Sequence, residues 1–570
     1  MASHRNRGKK ARDTEEEQEN TSKLDKSSLH ENKSAIQCPF SSTSRPGLDG
    51  GRDPSNSKPS APKRSEFQHA ALPTMELYLY VAFIGFLLFY IQWHIHQISK
   101  ENESQIGSYL SNSWPFIQHL KKDTSDYQWK FFTGTMTTPA VVVSFIAYVV
   151  MGQLVAFVAP KLRKPFMLLY SILIVYVGYG SHVLALLLVH AVMVYVVALT
   201  RKPILVWIVV VLQITSFSVQ SLLDFQNQYI TGLYSGTVCI TTSNLRLLCF
   251  GLEFCRNTKP GKPSPRDYTF FDMLLYNFYL PVLAYGPVIG YDTFLSQINN
   301  KIKMFSWKEL RYILKEFIRF LFWAFFAELF VHWLYIGALT NHRATRESLS
   351  ALDISFLALY HLLFFQLKVL VLYSLPRVIA LFDRIEAPIN PICILSMHFF
   401  KDMWKYFDRG LNDMLTKYIY YPLGGSRHGI LRQSFAAFMC FFFVAHWHGC
   451  TKSNYYWALL NWVGVQLESI LLTFSANFMP LQRFQNGLSG AMLRRFHIAC
   501  AVPNYLFLAS ANLVFVLGTT KTYYIVTTVY FGDWPWNFLL VLISFYCCIQ
   551  VVTEMEKRIG KNRMLSKKYI

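Results

Sequence analysis

The sequence predicts an all-α polytopic membrane protein with about ten to twelve transmembrane or re-entrant helices. Three observations carry that prediction. The 570 residues are 52% hydrophobic and 16% aromatic but only 16% charged. Apolar runs recur from about residue 75 to the end, many of them near the roughly 20 residues needed to cross a bilayer. Hydrocarbon offers no partner to a backbone N–H or C=O, so such runs must form helices that satisfy their own hydrogen bonds.

In chain order, residues 1–70 come first and differ from the rest. They are rich in Ser, Lys, Glu, Asn and Pro and cannot bury enough apolar surface to fold alone. They read as a disordered cytosolic tail with no cleavable signal segment. Residues 71–570 form the membrane domain. Clear apolar runs stand at 77–91, 141–158, 166–177, 183–199, 204–212, 320–339 and 538–552. Basic clusters lie between them at Lys161-Leu162-Arg163-Lys164, Arg201-Lys202 and residues 557–568. Together with the other basic residues they give a formal net charge of +21. Short basic stretches between apolar runs mark cytoplasmic loops and contact with anionic membrane lipid. They also suit a polyanionic substrate such as a coenzyme phosphate, and no nucleic acid partner is expected. Charged residues do not recur across several runs, which argues against a channel or transporter.

Ten cysteines are scattered without a CxxC pair, against a disulfide framework or a zinc site. The chain ends Lys567-Lys568-Tyr569-Ile570, which matches a dilysine retrieval signal. That predicts a multi-pass protein of the endoplasmic reticulum membrane, or the Golgi, with both termini cytosolic. A merely basic tail is the alternative.

Two stretches between runs look ordered. Residues 267–294 hold Leu280-Pro281-Val282 and Tyr285-Gly286-Pro287-Val288. In residues 403–429, Trp404, Asp408, Leu411 and Leu415 follow i, i+4, i+7, i+11 spacing, which predicts one helix face. Leu423-Gly424-Gly425-Ser426 then ends the helix.

Soluble-enzyme motifs are absent: no G-x-S-x-G, HExxH, P-loop or kinase set. His446 and His448 are two residues apart, so on a helix they point to different faces. No Lys, Arg, Asp or Glu stands between Gln433 and Thr451, so His448 sits late in an apolar helix. An ionisable group there is a candidate for function. Neutral imidazole is the cheap form at that depth, and it is the form a general base requires. The structural alternative is a histidine capping the helix end. Asp408 shares the predicted face with Trp404, although Lys405, Arg409 and Asp413 equally suit a solvated helix.

The whole pattern resembles the membrane-bound O-acyltransferase superfamily, and within it the hedgehog acyltransferases. The residues that carry the resemblance are Met403-Trp404-Lys405-Tyr406-Phe407-Asp408-x-Gly410-Leu411, Tyr420-x-Pro422-x-Gly424-Gly425-Ser426-x-His428-Gly429 and Trp447-His448-Gly449. Lys121-Lys122-Asp123-x-x-Asp126-x-x-Trp129, Tyr285-Gly286-Pro287-Val288, Ala511-Asn512-Leu513-Val514-Phe515 and Gly532-Asp533-Trp534-Pro535-Trp536 support it. It spans roughly residue 72 to the end.

The resemblance implies a helical membrane fold around a through-membrane catalytic tunnel. It maps the catalytic pair to His448 and Asp408, the tryptophan gating the acyl-CoA channel to Trp404, and an active-site asparagine to Asn512. In relatives a cysteine ligates a haem iron, and Cys393 stands in its place, implying haem b. The two departures are His446, where relatives can carry Tyr, and the long N-terminal tail. The implied reaction moves palmitoyl from palmitoyl-CoA to the N-terminal cysteine of a secreted signalling protein, hedgehog-like or EGF-like, as an amide. His448 would take the amine proton, Asp408 orient the amine, and Asn512 donate to the thioester carbonyl. The rivals are a relative acting on a Ser hydroxyl or a lysolipid, and a catalytically silent regulator of ligand lipidation.

Overall fold

The computed structural model describes residues 71–113, 120–219, 222, 224, 233–257, 267–300 and 304–568. The expected tail at 1–70 and the last two residues of the dilysine signal lie outside the described residues. Among those described, the helices of ten residues or more are α1 (Thr74–Glu101), α2 (Tyr127–Met136), α3 (Pro139–Val158), α4 (Arg163–Tyr179), α5 (Ser181–Leu199), α6 (Pro203–Ser216), α7 (Leu233–Asn257), α8 (Trp307–Trp333), α9 (Ala351–Phe382), α10 (Ile430–Trp447), α11 (Lys452–Asn477), α12 (Gly490–Leu517), α13 (Thr519–Phe531) and α14 (Trp536–Lys568). Short helices and turns join them. One two-stranded sheet pairs β1 (Leu110–Asn112) antiparallel to β2 (Lys121–Asp123).

Among the described residues, ten helices are long and apolar enough to cross a membrane: α1, α3, α4 with the turn before it, α5, α7, α9, α10, α11, α12 and α14. Their outward faces are apolar. On α3, Val143, Ile146, Val150, Leu154 and Phe157 all stand exposed, as a lipid-facing surface requires. Two expected runs differ from a full span. The run at 204–212 becomes α6, which is only 14 residues long. The run at 320–339 is not one helix: α8 stops at Trp333 and a separate short helix forms at Ile336–Asn341. The first half of α8 carries Lys308, Glu309, Arg311, Lys315, Glu316 and Arg319, which excludes it from the apolar set.

Helix α9 is the central post. It packs against α1, α3, α8, α12, α13 and α14, and buried residues run from Ala351 to Leu381. Its C-cap, Asp383, is buried and accepts from the Tyr148 and Tyr279 hydroxyls, each at 2.9 Å. Burial raises its carboxyl to about 6, against those two hydroxyl donors. Arg163 donates to the Asp383 and Ile298 carbonyls at 2.6 and 3.2 Å, tying α4 to the same corner.

The 280–290 loop is locked from three sides. Buried Arg246 of α7 donates to the carbonyls of Val282 and Leu283. Gly286, at φ +132°, faces Pro376 of α9 so closely that a side chain would press on the proline ring. Gly410 lies against Val288, and a Cβ there would overlap the Val288 carbonyl oxygen.

That contact corrects one expectation. Residues 403–415 do not form one helix with Trp404 and Asp408 on a shared face. The chain breaks into Phe400–Tyr406 and Arg409–Leu415, and Asp408 is extended at φ −124°, ψ 91°. The Asp408 carboxylate accepts the Leu411 N–H at 2.9 Å as an N-cap. The break lets Gly410 reach the 280–290 loop, which a continuous helix with spacing alone would not require. The stop at Gly424-Gly425 is as expected, with φ of +109° and +50°.

Gly410→Ala is expected to lower the thermal unfolding midpoint in detergent, with a cost of about 1–3 kcal/mol from overpacking. Gly85→Ala on α1, where a Cβ meets nothing within 4 Å, is expected to leave the midpoint in place. Equal midpoints for the two variants would overturn this account of the loop.

Candidate active site

Helix α10 is apolar through Phe441–Ala445 and ends because Gly449 and Cys450 leave helical geometry, with φ of +112° and +55°. His448 is its C-cap. The His448 backbone is held on both sides: its N–H donates to Val444 O at 3.0 Å, and its carbonyl accepts from Asn454 Nδ2 at 2.8 Å. The imidazole is different. It has no hydrogen-bond partner among the described residues and stays accessible, packed edge-on against Phe515 and Trp457 with centroids 4.9 and 5.9 Å away. The backbone therefore does the capping, and the ring nitrogens take no part in it.

His446 faces the other way, as expected. Its Nε2 meets Thr215 Oγ1 at 2.9 Å, and its Nδ1 meets the Tyr455 hydroxyl and Cys450 Sγ, both at 3.0 Å.

Trp457 of α11 is the hub around His448. Its indole N–H donates to Asn512 Oδ1 at 3.2 Å, and its ring lies 4.6 Å from Phe515 and 5.5 Å from Trp404. Asn512 donates one amide N–H to Leu508 O at 2.8 Å; an amide has two, so one remains. Trp404 is fixed by donating to Asn461 Oδ1 at 3.1 Å and by packing edge-on to Phe441 at 4.5 Å. Trp404, Asn512 and His448 thus meet around one indole.

Asp408 does not join them. Beyond the Leu411 cap, its Oδ2 accepts from the Tyr373 hydroxyl at 2.7 Å. Burial pushes its carboxyl above the ordinary value, opposed by the Leu411 N–H and the Tyr373 hydroxyl. It connects to His448 through neighbours: Phe407 stacks on Phe365 at 5.7 Å, and Phe365 meets Phe515 edge-on at 5.5 Å. Cys393 is exposed, in the loop before a turn at Ile394–Ser396. Among the described residues, no group of three or more His, Cys, Asp or Glu side chains is placed to hold a metal ion. A haem iron held by thiolate needs one protein sulfur, and the Cys393 thiol is accessible.

Two cavities adjoin this cluster. One is almost wholly apolar, about 140 Å³, and lined by Ile91, Leu359, Phe365, Met403, Asn512, Leu513 and Phe515 among others. The second is polar, about 170 Å³, and lined by Asp126, Gln128, His361, Phe364, Phe365, Lys368, Phe515 and Val516. Phe365 and Phe515 border both, and His448 packs on Phe515. The arrangement can hold a long apolar group on one side of a wall and a polar group on the other, with an open imidazole at the wall.

Sequence reasoning missed Trp457 and Phe365, whose aromatic identity is unremarkable in a chain with 47 Phe and 13 Trp, and gave Phe515 no role beyond the 511–515 motif. It also missed Lys368, for which a signal existed: a cation inside an apolar run.

Residues 173–511 match the family described as MBOAT, membrane-bound O-acyltransferase family. The chain is similar to the protein-cysteine N-palmitoyltransferase HHAT of Mus musculus, 30% identical over 465 residues, covering 80% of this chain and 93% of that protein. It is also similar to the HHAT-like protein of Mus musculus, 27% identical over 500 residues, 86% and 96% of the two chains. The membrane-bound O-acyltransferase gup1 of Schizosaccharomyces pombe is 26% identical over 519 residues, 81% and 87% of the two chains.

Asp408→Ala is expected to destabilise the protein by about 1 kcal/mol or more through loss of the cap, whereas Asp408→Asn keeps an oxygen for Leu411 and costs less. Unfolding midpoints of the two purified variants measure this. A midpoint for Asp408→Ala equal to wild type would remove the positioning role.

Proposed function

The chain belongs to the membrane-bound O-acyltransferase family, and from that membership we propose that it transfers palmitoyl from palmitoyl-CoA to the N-terminal cysteine of a secreted signalling protein. One observation carries the reading: the apolar and polar cavities share the Phe365–Phe515 wall, and the free imidazole of His448 packs against it. The similarity to a protein-cysteine N-palmitoyltransferase supports the choice of acceptor.

The apolar cavity takes the acyl chain, with Asn512 on its lining. The spare amide N–H of Asn512 donates to the thioester carbonyl as charge develops on oxygen. An α-amine has a reference pKa of about 8, so much of it is protonated near neutral pH. Neutral His448 takes the proton that the amine loses as nitrogen attacks the thioester carbon. The C–N bond forms, the C–S bond breaks, and the coenzyme sulfur leaves as thiolate and takes that proton back from His448 to become the thiol. Base catalysis of this kind contributes about 10²–10⁴-fold, and fixed approach of two substrates in a dry cavity contributes further. Trp404, held by Asn461 and packed on Trp457, gates the acyl side. Asp408 acts at one remove, by fixing the start of the Arg409–Leu415 helix and tying it to the Tyr373 hydroxyl of α9.

Cys393 is the residue whose thiol would hold a haem iron. A Soret band in wild type that survives Cys393→Ala would remove that assignment.

A second reading has a specific support. The gup1 relative covers the chain as fully as the palmitoyltransferase does, so an acyl acceptor of another class is the rival. Purified protein and palmitoyl-CoA, offered peptides with a free N-terminal Cys, a blocked N-terminus or a Ser, and a lysolipid, separate the two. Amide-linked palmitate on the free-Cys peptide alone is expected. His448→Ala is expected to lower that transfer at least about tenfold with the unfolding midpoint kept. Unchanged turnover would sink the base assignment.

A further inference from the structure

Lys368 stands in α9, where a cation is costly unless it is paired or used. Its Nζ donates to Asp126 Oδ2 at 2.6 Å and lies 5.6 Å from the centroid of the Phe365 ring. An ammonium has three N–H donors, and Asp126 takes one of them. Asp126 is already committed on its other oxygen, which accepts the Trp129 N–H at 2.8 Å as the N-cap of α2. Lys368, Asp126, Gln128 and His361 line the polar cavity, whose remaining wall includes Phe365 and Phe515. His361 is held by Thr340 Oγ1 at 2.8 Å. The cation is thus anchored, buried and still has donors, with the rings of Phe365 and Phe515 between it and the open imidazole.

We propose that this polar cavity receives the first residues of a peptide acceptor, and that Lys368 donates a hydrogen bond to an acceptor main-chain carbonyl. That contact holds the terminal amine against the Phe365–Phe515 wall beside His448. The proposal rests on the protein-acceptor reading given above. The chemistry of the cavity selects a peptide over a phosphate-bearing lipid. With Asp126 at 2.6 Å, Lys368 is charge-balanced, so an entering phosphate would meet the Asp126 carboxylate as well as the ammonium. A peptide carbonyl brings a strong acceptor and no net charge, and it uses the N–H groups that Asp126 leaves. Gln128 supplies a further amide that can pair with a peptide group on either side.

The test uses the purified full-length protein, palmitoyl-CoA and a peptide with N-terminal Cys. Three further peptides each replace one of the first three backbone amides by an ester, whose carbonyl is a weaker acceptor. In wild type, one ester position is expected to raise the peptide KM about fivefold or more, with the palmitoyl-CoA KM unchanged. Lys368→Met is expected to raise the KM of the all-amide peptide about tenfold and to lose the extra sensitivity at that ester position. Lys368→Arg, which keeps the charge, is expected to retain the ester sensitivity. A merely structural lysine would not couple to one bond of the acceptor. No ester effect in wild type, or an equal ester effect in Lys368→Met, overturns the proposal while leaving the protein-acceptor reading intact. The wild-type arm decides this even if Lys368→Met fails to fold. Transfer to a lysophospholipid and to no peptide overturns that reading, and this proposal with it.

Discussion

A polar side chain at membrane depth costs several kcal/mol unless the protein supplies its partner, and helix α9 shows how far that constraint shapes this molecule. Its polar residues each reach a different element. His361 pairs with Thr340 in the Ile336–Asn341 helix, Lys368 with the Asp126 cap of α2, and Tyr373 with the Asp408 cap. Ser374 accepts from Asn390, and Arg377 pairs with Glu316 of α8 at 2.9 Å. The Asp383 cap collects two tyrosines. Packing between apolar helices is weakly directional in lipid. These hydrogen bonds therefore choose which neighbour sits at which height along the post.

His448 gains its meaning against that background. Its backbone is held twice and its neighbour His446 is bound at both ring nitrogens, yet its own imidazole has ring contacts only. Local rules of polar satisfaction tend to be broken where function requires it. Trp457 makes the exception usable. By bonding Asn512 and packing beside Trp404 and Phe515, it gathers two side chains of α12 and one of the Phe400–Tyr406 helix around one ring. The wall of Phe365 and Phe515 then separates an apolar space from a polar one. A reaction between an acyl chain and a polar acceptor needs that division, since neither environment suits both partners.

Much of this was legible residue by residue. Most of the apolar runs became helices long enough to span a membrane, ten among the described residues, and the divergent faces of His446 and His448 followed from a spacing of two. The Gly424-Gly425 stop followed from glycine's access to positive φ. What failed was continuity. Trp404 and Asp408 share helical spacing, but periodicity carries no information about Val288, whose carbonyl Gly410 must approach. The run at 320–339 has the composition of a span over part of its length, yet the Asp123 carboxylate draws the N–H groups of Gly337 and Ala338 into a separate helix at 2.9 and 3.0 Å. In both places a partner distant in sequence supplied the hydrogen bond or the close contact that ended the helix.

Sequence by itself determined that the chain is a bundle of membrane helices, that an imidazole lies at the end of an apolar one, and which side chains resemble an acyl-transfer set. Those follow from composition and local period, which each segment carries alone. The tertiary structure decided that His448, Trp404 and Asn512 converge while Asp408 caps a helix behind them, and that Lys368 and Asp126 form the polar side of a shared wall. Convergence of that kind depends on crossing helices far apart in the chain, and no local pattern records which faces will meet.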